Sequence, residues 1–509
     1  MSEPTRLHDA STAARWLHQH VRGALRTDSR QVGAGDGFIA WPGAATDGRR
    51  FVPQAFAQGA AACLVERDGL EAWHLEGPTL GTLAGLKAAT GPIAAEYFGH
   101  PSRQIDVLAV TGTNGKTSSS WWLAHVLSNL KHKTQAGCAV IGTLGTGVPP
   151  HLAFNGLTTP DPVLLQGQLR AFVDQGLGAC AIEASSIGLA ERRLDGTHIR
   201  AAIFTNFTRD HLDYHGSLAA YWRAKAELFD WPGLEIAVVN SDDAQGLLLA
   251  DALRNRTGLQ LWTVGLDAAA QPRLVARNVR YEAHAGAQGL SFEVVEGGQS
   301  LTLHTGLIGH YNVSNLLGVI ACARALGHAL AAVVAACADV RAVPGRMQCQ
   351  GGAGAPLAVV DYAHTPDALD QALSALLPVA QARGGVLWCV FGCGGDRDPG
   401  KRPLMGAIAA RHAQRVVVTS DNPRSEKPEA IISQILMGMG HDRADVDRVG
   451  VEPQRERAIA AALAQADAAD VVLVAGKGHE AYQEVAGQRL PFSDTEHVRT
   501  ALAQREVAA

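Results

Sequence analysis

Gly112, Gly115, Lys116 and Thr117 fall together in "AVTGTNGKTSSSWWLAHVL", residues 109–127. Glycines let the backbone approach a ligand closely, so successive N–H groups can face phosphate oxygens. A lysine beside them brings positive charge to the terminal phosphates, and a threonine hydroxyl can ligate Mg²⁺. An apolar strand-like run precedes the glycines. A helical pattern follows, with Trp122, Val126 and Leu130 as an i, i+4, i+8 stripe for a sheet. The start of that helix adds partial positive charge where phosphate would sit. The motif is G-x-x-G-K-T, shorter than the common G-x-x-x-x-G-K-[ST], whose first glycine would fall at Val110. A strand before and a helix after favour a mononucleotide site over a glycine turn with a solvated lysine.

Other groups able to do chemistry are spread more widely. Glu183 follows the apolar "CAI" and suits a second Mg²⁺ ligand; His211 lies in the polar "TRDHLDYHG". Alone, the first reads as an ion-paired strand end and the second as a satisfied loop histidine. Behind a phosphate loop the pair favours metal and phosphate chemistry. Lys225 sits among apolar neighbours in "YWRAKAELF". Burial would favour its neutral amine, which can react with CO₂, but spacing alone reads it as a snorkelling surface lysine.

These residues need a scaffold larger than one ordinary domain, and 509 residues supply it. Three sections are legible, with no short-period repeat. The first runs to about residue 100. The second starts at "IDVLAVTG" and continues to about residue 342, with strands "GACAIEASS", "RAAIFTNFT" and "LEIAVVNSDD" alternating with helices. That alternation predicts a mainly parallel sheet covered on both faces. The third begins near "VPGRMQ", and its apolar runs "LAVVDYAHT", "VLWCVFGCGG", "RVVVTSDNPR" and "DVVLVAGKGHE" each end in polar or glycine residues. Ligands of open α/β sheets bind beyond such strand ends. A net charge of −5 without a basic segment argues against nucleic acid as a partner. The N-terminus lacks the apolar stretch of a signal peptide, and no segment reads as a membrane span. Eight cysteines without a C-x-x-C pair, Cys389 and Cys393 standing four apart, read as free thiols in a reducing cytoplasm.

In order, "TGTNGKT", "EASS", "TNFTRDHLDYHG", "AKAELF", "GHYNVSN", "VPGRM", "DYAHTPDAL", "GCGGDRDPGKRP", "DNPR" and "GKGHE" resemble the Mur ligase family, from Asp28-Ser29 to Asp494. The resemblance implies an α/β protein of three domains. They are a smaller UDP-substrate-binding domain at 1–100, a central ATP-binding parallel sheet at 101–342, and a Rossmann-like amino-acid-binding domain at 343–509. It implies that ATP phosphorylates the D-glutamate γ-carboxylate of UDP-N-acetylmuramoyl-L-alanyl-D-glutamate, and that an amine of meso-diaminopimelate attacks the acyl phosphate. The chain would be a cytoplasmic monomer acting in peptidoglycan precursor synthesis, with no nucleic-acid or membrane partner.

The resemblance also distributes roles. Gly112, Thr113, Asn114, Gly115, Lys116, Thr117 and Ser118 match the ATP loop. Asn312 and Arg346 match nucleotide contacts, with His364 and Asp367 on a neighbouring loop. Thr117, Glu183, His211 and Lys225, the last as a carbamate, match the Mg²⁺ site; Lys116, Glu183, His211 and Lys225 are the implied catalytic set. Thr27, Ser29, Thr158, Thr159, Ser185, Glu191 and Arg193 match the UDP-substrate site. Arg397, Asp421, Asn422, Pro423, Arg424, Gly476 and Glu480 match the diaminopimelate site, where guanidinium forks suit carboxylates and Glu480 can pair with the distal ammonium. Ala44, Ala45, Leu157, Ile187 and Glu191 depart from the usual residues, and Glu191 is expected to pair with Arg192 or Arg193. The alternatives are a lysine-adding sibling or, in another class, a P-loop switch or transport ATPase.

Overall fold

A computed structural model describes residues 3–43, 46–284, 287–440 and 448–508; Ala44 and Ala45 lie outside the described residues. Three large sheets follow one another along the chain. The first contains five parallel strands in the order Thr5–Arg6, Leu80–Leu83, Ala62–Glu66, Gly37–Ala40, Leu25–Arg26. Alternate residues serve opposite faces, as strand geometry requires. Ile39 and Leu64 join the core under helices Ala10–His20 and Leu86–Tyr97, whereas Phe38, Cys63 and Val65 join the core under Val52–Ala57. Asp9 starts the first helix by accepting the Thr12 amide at 2.7 Å, and the Thr12 hydroxyl accepts the Asp9 amide at 3.2 Å.

Helix Leu86–Tyr97 also touches the next section backbone to backbone. A Cβ at Gly91 would stand 2.0 Å from the Asp195 carbonyl oxygen, and one at Gly196 would stand 2.5 Å from that of Gly91. Any side chain at either position would force this seam apart.

The central sheet has eleven strands. Its parallel heart runs Gln260–Gly265, Ile236–Asn240, Ala201–Phe204, Asp106–Thr111, Ala179–Glu183, Cys138–Gly142. Helices Lys116–Asn129 and His310–Ala325 bury one face, and Pro162–Asp174 and Ala244–Leu253 the other. This is the double covering that the apolar runs require. Further strands flank the heart: Leu274–His284, parallel to Gln260–Gly265, then antiparallel Ala287–Glu296 and Gln299–Thr305 on one side, and antiparallel Gly145–Val148 and His151–Ala153 on the other. The sequence reading named no strand there, because these strands are partly exposed and lack continuous apolar runs.

The third sheet runs Gln348–Gly351, Leu357–Asp361, Val471–Ala475, Leu387–Phe391, Arg415–Val418, Val449–Val451, parallel except for its first strand. The four apolar runs of the sequence are its four middle strands. Val471–Ala475, last in the chain, inserts between Leu357–Asp361 and Leu387–Phe391. The loops carrying "GCGGDRD", "DNPR" and "GKGHE" therefore open at the same sheet end. Among the described residues, no helix is long and apolar enough to cross a membrane.

Candidate active site

Beyond the carboxyl ends of the central strands lies a cavity of about 700 Å³, lined from both the central section and the third. Its floor is the glycine loop between strand Asp106–Thr111 and helix Lys116–Asn129. Gly112 has φ +147°, and a Cβ there would fall 1.9 Å from Thr205 Oγ1; Gly115 has φ +85°, and its Cβ would fall 2.3 Å from Asn315 Oδ1. Only glycine fits such positions. Asn206 fastens the loop, its Oδ1 accepting the Asn114 amide at 2.9 Å and its Nδ2 donating to the Asn114 carbonyl at 3.1 Å. Lys116 Nζ lies over the loop, donating to the carbonyls of Gly112 at 2.9 Å and Thr113 at 2.8 Å. Thr113, Asn114, Lys116, Thr117 and Ser118 all line the cavity.

Glu183 ends its strand 1% exposed. Its Oε2 accepts the Thr117 hydroxyl at 3.0 Å and that of Thr143 at 3.1 Å, and its Oε1 accepts the Thr143 amide at 2.8 Å. A threonine hydroxyl and an oriented carboxylate beside a phosphate-binding loop form a hard-oxygen donor set. That set suits Mg²⁺, which takes one or two carboxylates and completes its shell with phosphate oxygens and water. The fit stops short of an all-protein cage: among the described residues, no three His, Cys, Asp or Glu side chains cluster as a metal site. His211 lines the same cavity at left-handed φ +51°. Burial holds its imidazole below the usual value against the pull of Asp210.

Lys225 corrects the reading from spacing. Helix Leu218–Ala226, capped by the Ser217 hydroxyl, turns it inward, where it is 1% exposed. Its Nζ donates to the Gly112 carbonyl at 2.6 Å and stands 4.5 Å from the centre of the Tyr221 ring. No ion pair holds it among the described residues, and burial, assisted by Lys116, keeps its amine well below the ordinary lysine range. A buried amine depleted of its proton is the form that adds CO₂.

Arg346 enters the cavity from the third section. One terminal nitrogen donates to Thr117 Oγ1 at 3.3 Å, the guanidinium lies 4.2 Å from the Tyr362 ring centre, and its buried Nε has no hydrogen-bond partner among the described residues. An unpartnered guanidinium nitrogen beside a phosphate-loop threonine fits an anionic ligand. Asn312 donates to the Ile308 carbonyl at 2.8 Å and accepts from Asn315 at 3.4 Å. Asp367 takes the Asn114 amide side chain at 3.1 Å, and His364 accepts a Lys401 hydrogen bond on its carbonyl at 2.9 Å. Burial raises Asp367 and lowers His364.

Thr158, Ser185 and Arg193 line the same cavity, with Thr159 immediately beneath. Thr159 Oγ1 donates to the Glu183 carbonyl at 2.7 Å and pairs with Ser185 Oγ at 3.0 Å, while Arg193 reaches the Thr159 carbonyl at 3.0 Å. Glu191 is not among the lining residues, and its partners differ from those expected. It pairs with Lys87 at 2.8 Å and accepts the Tyr214 hydroxyl, whereas Arg192 turns to Asp195 and Glu227. Thr27 and Ser29 lie on the first section, away from the cavity lining.

The remaining candidates gather at the end of the third sheet, outside this cavity. Asn422 Nδ2 donates to Glu480 Oε2 at 2.8 Å, and Asn422 Oδ1 accepts the Glu484 amide at 2.9 Å. Pro423 and Arg424 continue the turn, with Arg424 at φ +52°, donating to the Gly395 carbonyl at 2.7 Å and standing 3.5 Å from Glu484. Gly476, at φ +118°, comes close to the Asp421 carboxylate. Arg397 is exposed at the tip of its loop. Beneath these loops Arg402, 1% exposed, grips Glu426 through two bonds of 2.8 Å, and Glu426 also accepts the Asp396 amide at 2.7 Å.

Asn206, Asn315, Arg402 and Lys477 are the structural partners that sequence reading missed. Each lies inside a quoted motif, but each acts on a residue that only the fold brings near.

Three family descriptions match the chain: "Mur ligase family, catalytic domain" over 23–81, "Mur ligase middle domain" over 110–323 and "Mur ligase, glutamate ligase domain" over 345–478. A UDP-N-acetylmuramoyl-L-alanyl-D-glutamate–2,6-diaminopimelate ligase of Acidovorax sp. (strain JS42) is 60% identical, covering 98% of this chain and 99% of its own. One of the same name from Janthinobacterium sp. (strain Marseille) is 47% identical, covering 96% of each. A solved structure of that ligase shares 36% identity, with a TM-score of 0.64 over 95% of each chain. Mycobacterium tuberculosis folylpolyglutamate synthase, at 20% identity and TM-score 0.57 over 77% of this chain and 92% of its own, shares the fold.

Proposed function

We propose that this chain, which belongs to the Mur ligase family, is the ATP-dependent ligase that joins meso-diaminopimelate to the D-glutamate γ-carboxylate of UDP-N-acetylmuramoyl-L-alanyl-D-glutamate. The product is a cytoplasmic precursor of peptidoglycan, and the chain acts as a monomer of three domains, 1–100, 101–342 and 343–509. The observation that carries the acceptor assignment is the pairing of two loops. The "DNPR" turn and the "GKGHE" turn meet through Asn422 and Glu480, with Arg397 and Arg424 close by. That combination offers cations to a carboxylate and an acid to an ammonium, the two charges of an amino-acid end.

A carboxylate resists attack by an amine because oxide is a poor leaving group. In the proposed reaction, a γ-carboxylate oxygen attacks the γ-phosphorus of ATP, and ADP leaves. The amine nitrogen then attacks the acyl carbon, loses a proton, and phosphate departs as the amide forms. Several anions must be held together, so the protein's part is positioning and charge stabilisation. The loop amides of Gly112–Ser118 cradle the phosphates, Lys116 lies along them, and Arg346 meets them from the opposite wall. Asn312, His364 and Asp367 support the nucleotide. Thr117, Glu183, His211 and carbamylated Lys225 are the residues proposed to hold Mg²⁺, which would supply neutralisation of the charge that gathers there. Thr158, Thr159, Ser185 and Arg193, with Thr27 and Ser29 at the distal end, hold the UDP substrate. Domain closure would bring the amine to the acyl phosphate and exclude water.

An acceptor panel tests this reading. Purified protein with ATP, Mg²⁺ and the UDP-muramoyl dipeptide is supplied with meso-diaminopimelate, L-lysine or D-Ala-D-Ala, reading phosphate release and product mass. Fastest turnover with diaminopimelate is expected. Fastest turnover with lysine would reassign the acceptor, and ATP turnover indifferent to every acceptor would remove the ligase reading.

A further inference from the structure

Lys477 is a fully buried lysine beneath the turns that carry Asn422 and Glu480. It is 0% exposed. Its ammonium donates to Asn422 Oδ1 and to Glu480 Oε2, both at 3.0 Å, stands 3.8 Å from Asp421 Oδ1, and faces the Tyr482 ring at 5.7 Å. Three residues assigned to the acceptor site thus converge on one ammonium. The Asn422 side chain donates to the same Glu480 oxygen at 2.8 Å. Glu480 Oε1 takes no hydrogen bond among the described residues, and the buried Asp421 Oδ1 has no hydrogen-bond partner.

The charges add up in a particular way. Asp421 and Glu480 bring two negative charges and Lys477 one positive, so the cluster presents one net negative charge. The neighbouring cation Arg455 is 2% exposed and is taken up by Asp494 through two bonds of 2.7 Å. One free carboxylate oxygen carrying a single net charge is complementary to one ammonium group. Without Lys477 the two acids would face each other uncompensated, and Glu480 would lose the charged one of the two partners that hold it.

We propose that Lys477 is a positioning residue for acceptor specificity: it holds Glu480 and Asn422 so that the free glutamate oxygen reads the distal ammonium of a diamino diacid. This rests on the ligase reading above and adds the group that sets the ammonium subsite. Lys477 touches neither the reacting amine nor the phosphates, so it acts on recognition of one end of the acceptor and leaves the chemistry alone.

The test compares two acceptors in the full-length enzyme at saturating ATP and UDP-muramoyl dipeptide. One is meso-diaminopimelate. The other is L-2-aminopimelate, which keeps both carboxylates and the attacking amine but lacks the distal amine. In Lys477→Met the KM for diaminopimelate rises about tenfold or more, the KM for ATP stays unchanged, and the preference for diaminopimelate over aminopimelate falls by a similar factor. Lys477→Arg retains an intermediate preference, because the charge remains while its geometry changes. Circular dichroism checks the fold of both variants. If the methionine variant does not fold, the arginine variant alone decides. Equal losses with both acceptors, or an unchanged preference, would overturn the proposal. Failure of the wild-type enzyme to use either acceptor strikes the ligase reading instead, so the two failures are distinguishable.

Discussion

Lys116 and Lys225 beside the glycine loop, and Lys477 and Arg402 beneath the proposed acceptor loops, are basic side chains largely withdrawn from water, yet the two pairs are held in opposite ways. The first pair meets backbone carbonyls: Lys116 those of Gly112 and Thr113, Lys225 that of Gly112. Among the described residues no carboxylate stands within ion-pair distance of either; Glu183 and Asp210 act on Lys116, and Asp210 on Lys225, only from farther off. The second pair is matched with acids, Lys477 with Glu480 and Arg402 with Glu426. Carbonyls orient a nitrogen without cancelling charge, so Lys116 can offer its ammonium to phosphate oxygens, while burial leaves Lys225 ready to give up its proton. Carboxylates cancel it, and the cation then serves as a fixed post around which loops are set. Burial alone does not tell whether a lysine works on a ligand or on its neighbours; the charge of its partners does.

The largest effect expected from this contrast is at Lys225. Lys225→Ala should lower kcat by about 10²–10³-fold, the scale for removing one charge-stabilising group from such a site. Short carboxylates added to the medium should restore part of the rate. Retention of activity by Lys225→Ala without added carboxylate or bicarbonate would remove the carbamate role. Next comes the acceptor side, where Arg424→Lys should raise the KM for diaminopimelate by roughly 10–100-fold, with kcat and the KM for ATP little changed, because a point charge cannot replace a planar fork. A loss in kcat alone would mean that the acceptor loops do more than bind.

His479 feels Arg346 of the cavity and Lys477 of the third-sheet loops. Burial first, then Arg346, His364 and Lys477, push its imidazole down to about 3. The folded value lies below the ordinary 6.5, so the unfolded chain binds the proton more readily as pH falls. The stabilisation is complete above 6.5 and is lost towards 3. Between pH 6.5 and 5 this residue should cost about 1–2 kcal/mol of unfolding free energy, and His479→Asn should flatten that slope in urea unfolding. An unchanged slope would show that the fold does not hold His479 below its ordinary range. The smallest effect is at Glu191. Because it is tied to Lys87 and Tyr214 at a partly exposed site, Glu191→Gln should change stability by about 1 kcal/mol or less and the KM for the UDP substrate by less than about threefold. A tenfold rise in that KM would return Glu191 to direct substrate contact.

The glycine loop was legible because its meaning is local: strand, turn, lysine and helix occupy nineteen consecutive residues, 109–127. The parallel strands were legible for a related reason, since burial on both faces writes a continuous apolar run such as "VVLVAG". The antiparallel flanks, half exposed, leave no such run. Lys225 could not be placed by spacing, because a nine-residue helix, Leu218–Ala226, packs its polar lysine inward against a carbonyl more than a hundred positions earlier. Glu191 was paired with its sequence neighbours, whereas the fold supplies Lys87 from another section. Lys477 and Arg402 were visible as members of motifs, but their work depends on loops that meet only when the last strand inserts into the middle of its sheet.

The glycine seam between helix Leu86–Tyr97 and the turn around Gly196 has a mechanical consequence. With the carbonyls of Gly91 and Asp195 packed where side chains would otherwise stand, the section bearing Thr27 and Ser29 is bolted to the one bearing the phosphate loop. Those two sections are then expected to travel as one lever, and the proposed closure falls to the segment beyond Pro344. A fluorophore pair spanning the seam would hold a constant separation through the catalytic cycle, while a pair spanning Pro344 would report every stroke.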